Sequence, residues 1–292
     1  GKGVALLLVA LPLLEQLQCS EYLLRDALHF LYQTTYHKRT LKIKKLMLGF
    51  PEIRKETLPI VPILCPLLEV FSLHVENWSG ERAGSALRSL TNLRKLIITL
   101  ESGCNMKTLG FHFFGHQLTY LQLTIHLLSV DDICLLSNFC TNLKTFVLKM
   151  RSYGFDITSL EKLDKEIFPS VETLELIGNI SINLFKLLCL RMKNLVHFYS
   201  GRASLQNLHA AVEAVLTEGA WDKLEVLALP MAQTLPTAVA KELVTTLPQL
   251  RSLALLLPFR EEHQVHQFLA KHYPNTELVD HEELKRPSHW PT

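Results

Sequence analysis

Residues Leu127–Leu148, LLSVDDICLLSNFCTNLKTFVL, contain one complete unit of the pattern that organises this chain. The unit ends with an apolar residue, two variable residues, a second apolar residue, one variable residue and a third apolar residue, at Leu143, Phe146 and Leu148. Alternation with a period of two is typical of a β-strand that buries one of its faces. The end of the unit is therefore predicted to be a short strand.

The first part of the same unit has helical spacing. Ile133, Leu136 and Phe139 share one face of a helix. Asp131 and Asp132 lie where a helix N-terminus favours negative charge and a capping oxygen. Similar spacing predicts helices around residues 81–87, 205–217, 237–246 and 261–272. Because a unit of strand, loop and helix cannot bury its apolar face alone, neighbouring units are expected to stack.

The strand pattern recurs along the whole chain. Its copies begin at Leu14, Ile43, Leu68, Leu93, Leu118, Leu143, Val171, Leu195, Leu224 and Leu250, and a frayed eleventh copy begins near Thr276. The steps between copies are 24–29 residues long, and four consecutive steps are 25 residues long. Steps of this length are those of leucine-rich repeats. The predicted fold is an α/β leucine-rich-repeat solenoid, a horseshoe of about 11 repeats with a parallel concave sheet and convex helices. We expect one domain over residues 1–292, with the last repeat and a C-terminal cap from about 274.

Two of the segments that precede a strand contain a cysteine, which indicates a subclass of repeat. Cys140-Thr-Asn-Leu143 and Cys65-Pro-Leu-Leu68 place a cysteine at the end of the helix, just before the strand. This arrangement resembles the cysteine-containing repeats of F-box/leucine-rich-repeat proteins and of the ribonuclease-inhibitor-like class. F-box proteins of this kind are adaptors that hold a target for a cullin-type ubiquitin ligase. The resemblance implies a target-recognition role, although no F-box is visible in these residues.

Composition favours a folded protein with a protein partner. The chain is 48% hydrophobic and 20% charged with a net charge of +2, too mild a charge for a nucleic-acid or membrane-surface binder. Its 6 cysteines form no C-x-x-C pair, which favours reduced thiols in a cytoplasmic or nuclear setting. The sequons at Asn77 and Asn179 would favour the opposite setting.

Residues 2–19 allow two interpretations. A lysine followed by a short apolar run is the pattern of a signal peptide. Against this, Glu15 and Gln16 interrupt the run, and Leu14, Leu17 and Cys19 fit the first repeat, so the repeat is favoured. The chain has no initiator methionine, which indicates a piece of a longer protein.

The sequence carries no motif that predicts catalysis. It has no Gly-rich phosphate loop, no Gly-x-Ser-x-Gly elbow and no His-Glu-x-x-His pair, so we predict no enzyme, no metal and no cofactor. His263 and His266 have helical spacing for a shared metal, but a solvated helix face is the preferred interpretation. His112 and His116, in a predicted loop, are interpreted in the same way.

The densest basic stretch is His37–Lys45. Such a stretch could contact an acidic partner or a phosphate backbone. On a chain this close to neutral, it is more often a solvated face.

The concave face is the predicted binding surface. In each strand, the residues between the buried apolar positions must point to that side. The candidate binding residues are the aromatic and long polar residues Lys95, Tyr120, Gln122, Lys149, Glu175, His197 and Tyr199. The same alternation places Lys45, Met47, Val70, Ser72 and His74 on this face. Tyrosines and basic groups are favoured at protein interfaces, although β-propensity alone also enriches tyrosine in strands.

The sequence therefore predicts a protein-interaction module. More specifically, it predicts the substrate-recognition part of an F-box-type ubiquitin ligase, with a protein target on the concave face. A cullin-ligase adaptor would bind through a segment before residue 1. The chain is expected to be a monomer that binds no nucleic acid and no membrane. The alternative is a structural scaffold or assembly factor that uses the same repeat surface. An extracellular receptor is disfavoured, because no paired cysteines cap the ends.

Overall fold

The structure, a computed structural model, describes residues 2–34, 40–49, 57–75, 82–102, 104, 106–156, 166–200, 208–229, 235–257 and 259–279. The strands are β1 Gln16–Ser20, β2 Lys45–Gly49, β3 Val70–Val75, β4 Lys95–Leu100, β5 Tyr120–Ser129, β6 Thr145–Asp156, β7 Thr173–Gly178, β8 His197–Ser200, β9 Val226–Ala228, β10 Ser252–Ala254 and β11 Glu277–Leu278. All eleven predicted strand segments are confirmed.

The first helix precedes β1, and the other helices lie between strands. They are α1 Lys2–Ala10, α2 Glu21–Gln33, α3 Val61–Leu64, α4 Arg82–Arg88, α5 Phe111–Phe114, α6 Val130–Phe139, α7 Ile182–Arg191, α8 Leu208–Thr217, α9 Thr237–Thr246 and α10 Phe259–His272, with 3-10 turns at Leu58–Ile60, Met106–Leu109 and Gly115–Gln117. Four helices were predicted in addition to the helix of the 127–148 unit. All four are confirmed, with bounds within a few residues of those predicted. His112 lies in a helix, so its predicted loop is wrong, because Phe111 and Phe114 bury one face of that single turn.

The described chain forms two compact units. Unit 1 holds the described residues through Phe146, with Asp156; unit 2 holds Val147–Phe155 and the described residues from 166 onward. In unit 1, β1 to β5 pair in sequence order and are all parallel. In unit 2, β7 to β11 do the same. Parallel strands added in sequence order, each followed by a helical connection, make this a leucine-rich-repeat fold. The single domain over residues 1–292 stays a prediction.

The core of each unit lies between the sheet and the helices. The first apolar residue of the strand pattern is completely buried at Leu68, Leu93, Leu118 and Leu143 in unit 1. On the helical side, α6 begins with a capping box, since the Ser129 Oγ accepts from the Asp132 amide and the Asp132 carboxylate accepts from the Ser129 amide. The predicted role of Asp132 in starting this helix is confirmed, with Ser129 as the N-cap.

A tight turn precedes most strands. The amide of the first apolar residue donates to the carbonyl three residues earlier, as Leu68 does to Cys65 and Leu143 does to Cys140. Leu90, Gly115, Phe168, Trp221, Leu247 and Tyr273 occupy the same position in other repeats. Cysteine is thus one of several residues that fill this position, which is buried in all of these repeats except that of the half-buried Tyr273. Its presence in two repeats does not by itself define the subclass.

The predicted start of the last repeat at Thr276 is confirmed, but its strand lies one residue closer to the turn than in the preceding repeat. Its turn aligns with the preceding repeat at a step of 26, because the Thr276 amide donates to Tyr273 as the Leu250 amide donates to Leu247. Its strand pairs at a step of 25, with Leu253 opposite Leu278. Thr276 takes the buried place of a leucine and its hydroxyl donates to the Leu250 carbonyl over 2.7 Å, which makes a polar residue tolerable there.

Side-chain amides link successive turns, a feature that the sequence reasoning missed. Each lies one residue before the first apolar residue of a strand and donates to a carbonyl of the preceding repeat. The pairs are Asn92 to Pro66, Gln117 to Leu90, Asn142 to His116 and Asn194 to Pro169, over 2.7–3.2 Å. The recurring Asn-Leu dipeptide was the available signal.

Candidate functional site

The candidate surface of unit 1 is the open face, the side of β1–β5 that points away from the helices. The strands pair residue for residue, so the open-face side chains form rows across the sheet. The first row is Gln16, Lys45, Val70, Lys95 and Tyr120, and the second row is Gln18, Met47, Ser72, Ile97 and Gln122. The odd-even alternation that was predicted from sequence is confirmed for these strands.

Two of the three candidates in unit 1 are partly accessible. Lys95 and Gln122 are half-buried, whereas Tyr120 is only 3% exposed. The Tyr120 hydroxyl donates to the Gln122 Oε1 over 3.4 Å. In-register strands lie about 4.8 Å apart, so a flat aromatic ring is covered by the side chains beside it. Tyr120 therefore lies on the predicted face but is covered there by its neighbours.

The four candidates in unit 2 divide in the same way. Lys149 and His197 are half-buried, but Glu175 is 3% and Tyr199 is 5% exposed. Tyr199 packs with Ala228 and Ala254, which are the open-face residues of the next two strands. Small neighbours let the ring lie over the sheet, and Glu175 lies beside Tyr199 in the strand register. Glu175 and Tyr199 are therefore covered by their neighbours, and a binding role for the seven residues stays a prediction.

Lys45 and Lys95 lie in the same row with Val70 between them. Both lysines are half-buried. Burial in the first place, and the positive charge of Lys45 in the second, lower the pKa of the Lys95 ammonium. The positive charge of Lys95 in the first row is therefore less stable than that of a lysine in water.

A second polar group lies at the carboxyl end of the strands. One oxygen of the Glu101 carboxylate lies 3.2 Å from the His74 Nε2, and the other lies 3.4 Å from the His126 Nε2. His74 is 5% exposed, which makes it a buried polar residue of the open face. The sequence placed His74 on this face but gave no sign of its pairing, because Glu101 lies in the loop after β4.

A cavity of about 470 Å³ opens beside this group. Its lining includes Glu101, His126, Asp131, Asp132, Met106 and Lys107. The Asp132 carboxylate already caps α6. Both acidic side chains and the basic Lys107 line the cavity. Within the described part of the chain, no group of three or more His, Cys, Asp or Glu side chains is arranged to hold a metal ion.

The two histidines with the spacing of metal ligands lie on a helix surface. His263 and His266 are exposed on α10. The His263 Nε2 lies 2.8 Å from the Gln267 Nε2, and the His266 Nε2 lies 3.9 Å from a Glu262 oxygen. These contacts are those of a solvated helix face. Of the basic stretch, His37, Lys38 and Arg39 lie outside the described residues.

The buried cysteines are predicted to be chemically inert. Burial raises the pKa of Cys65 and of Cys140 to about 12, and it also raises that of Cys189. At pH 8, about one thiol in 10⁴ is then ionised at the first two sites. We expect iodoacetamide to modify the half-buried Cys134 in the folded protein and to leave these three unmodified, as measured by peptide mass spectrometry. In urea, all should react. Labelling of Cys140 as fast as Cys134 in the folded state would contradict the burial.

No helix among the described residues has the length and apolar character needed to cross a bilayer. The described strands, with their order and register, are what establish the fold.

No family model and no curated protein matches the chain. Solved structures that resemble it include the complex of Rad7 and Elc1 from yeast, at 13% identity and a TM-score of 0.30 over 90% of this chain and 89% of that one. The chain also resembles the TLR13–ssRNA13 complex, at 14% identity and a TM-score of 0.42 over 85% of this chain and 43% of that one. Identity and superposition are both too low for either likeness to bear on function.

Proposed function

We propose that this chain is a protein-interaction module that binds its partner on the open face of unit 1. The observation that carries the proposal is the composition of the second row. Met47, Ser72 and Gln122 are half-buried side chains of mixed polarity, aligned on three strands of one rigid sheet. Mixed polar and apolar character on a preformed surface is typical of protein interfaces, which are no more apolar overall than other protein surface.

A bulky charge in the centre of the second row tests this proposal. We expect Ser72→Arg to abolish capture of a partner that the unchanged chain captures, because the arginine occupies the middle of the open face and displaces contacts at the centre of the interface. Quantitative mass spectrometry of captured proteins is the measurement. Hydrogen exchange of the complex should protect β2–β5.

The matched control is Ser85→Arg, on the exposed surface of α4. It adds the same side chain to the same unit on the helical side. A partner that is lost with Ser85→Arg and kept with Ser72→Arg would show that the helical side binds. That result would reject the open face as the binding surface.

We further propose that the module recognises targets for a cullin-type ubiquitin ligase. The proposal is supported by the cysteine-containing turns at Cys65 and Cys140, which match the F-box/leucine-rich-repeat pattern in sequence and share one buried position in the fold. Purification of the complete gene product should recover a cullin adaptor. Recovery of a partner on the open face without any ligase component would reject the ligase role and keep the interaction module.

A further inference from the structure

The first row of the open face holds two lysines, and one strand lies between them. Lys45 on β2 and Lys95 on β4 both pair with Val70 on the strand between them. Neighbouring strands are about 4.8 Å apart, so the two α-carbons are separated by about 10 Å. Two flexible lysine stems attached at this separation can reach a single group above Val70.

We propose that Lys45 and Lys95 together bind one carboxylate of an acidic side chain in the partner, presented above Val70 by an extended segment. This inference rests on the proposed function, since it names the chemistry of a partner that binds the open face.

The electrostatics of the row favour an anion there. The charge of Lys45 and the burial of Lys95 both make the Lys95 ammonium less favourable than it is in water, as the lowered pKa of Lys95 shows. A carboxylate between the two ammonium groups would offset the repulsion between them. Because Val70 offers no polar group, the floor of the site is apolar, and charge interactions are stronger over an apolar surface than in bulk water.

The neighbouring lysine is not part of the clamp. The Lys44 Nζ lies 2.8 Å from the Glu15 Oε1, and Glu69 adds to the negative charge around it. Lys44, which precedes β2, is thus already paired with a carboxylate of this chain.

The second row restricts the partner further. Met47 and Ile97 lie two residues beyond the two lysines on the same strands. Two residues of extended chain span about 6.6 Å, which is also the distance between alternate side chains of an extended partner. An acidic residue above Val70 therefore places an apolar side chain, two positions along the partner, over Met47, Ser72 and Ile97. For a segment that runs parallel to the strands, the expected partner sequence is an aspartate or glutamate, any residue, then an apolar residue.

The test uses the full chain and a synthetic peptide, (Glu-Ser-Leu)4, with calorimetry as the readout. We expect binding at about 50 mM salt that weakens at least about tenfold at 300 mM, because exposed charge pairs are screened. The matched peptide (Gln-Ser-Leu)4 should bind at least about tenfold more weakly. Equal binding of the two peptides would overturn the proposal.

Five variants separate a clamp from a general effect of net charge. We expect Lys45→Met and Lys95→Met each to weaken binding by about fivefold or more, whereas Lys95→Arg keeps it within about threefold. The control is Lys42→Met, an exposed lysine that precedes β2. If both lysines hold the same carboxylate, the double variant should lose less than the product of the single losses.

Other outcomes would reject the clamp. An equal loss with Lys42→Met would mean that only net charge matters. A phosphoserine peptide, (pSer-Ser-Leu)4, that binds more than about tenfold tighter than the glutamate peptide and depends on the same lysines would make the occupant a phosphorylated segment. If no peptide binds while Ser72→Arg still abolishes partner capture, the carboxylate clamp fails and the open-face interaction stands.

Discussion

Substitution of Gly178 by alanine is expected to destabilise unit 2 by about 3–5 kcal/mol, among the largest effects of a single change in this chain. Gly178 ends β7 with a φ of 86°, and a Cβ added there would lie 2.1 Å from the Met150 carbonyl oxygen. The same oxygen accepts a hydrogen bond from the Asn179 amide over 3.0 Å. The backbone must move to admit a methyl group, and this hydrogen bond is lost when it does. Urea unfolding followed by circular dichroism measures the loss.

Gly219→Ala is the matched control for the backbone conformation. Gly219 has a φ of 65° and lies after α8, where its amide donates to Leu216 and the next amide donates to Val215. Nothing lies within 4 Å of an added Cβ. Its substitution should cost only about 1–2 kcal/mol, the penalty of a left-handed conformation for an L-residue. A loss at Gly178 no larger than that at Gly219 would contradict the close approach to Met150.

Phe114→Ala is expected to destabilise unit 1 by about 3–5 kcal/mol. Phe114 is completely buried in α5, with its ring centre 5.1 Å from that of Phe111. Alanine removes the ring from the core between the helices and the sheet, and the surrounding side chains can fill the resulting cavity only in part. The urea midpoint should fall while the slope of the transition stays constant.

Phe139→Ala is the control for ring removal, and Phe114→Leu is the control for cavity size. Phe139 ends α6 and is 38% exposed, so its loss should cost about 1 kcal/mol. Leucine at position 114 should restore most of the stability, since it refills much of the volume. Equal losses for Phe114→Ala and Phe139→Ala would show that the ring of Phe114 is not part of the packed core.

The proposed binding surface depends on this core. Leu46 and Leu96 are completely buried beneath the sheet, and the residues just before them are Lys45 and Lys95 on the opposite face. A one-residue slip of either strand would place its lysine in the core and its leucine on the surface. Burial of the leucines therefore holds the two lysines in one row.

Not all of the candidate site could be predicted from sequence. Alternation identified Lys95 and Gln122 as open-face residues, and both are partly accessible. It placed Tyr120, Glu175 and Tyr199 on the same face but could not give their exposure. Exposure depends on what lies beside a side chain, and for Tyr199 this is Ala228 and Ala254, which are 29 and 55 residues further along the chain.

The sequence by itself determined the repeat, the strand positions and the face of each strand residue. It could do so because these properties follow from local periodicity: two residues per strand repeat, and about 25 residues per unit. Tertiary structure alone decided which side chains lie together across repeats, such as His74 beside Glu101, and Lys45 in one row with Lys95. Those contacts join residues that are neighbours only because successive strands pair in register, and the register is set by the packing of every buried leucine at once.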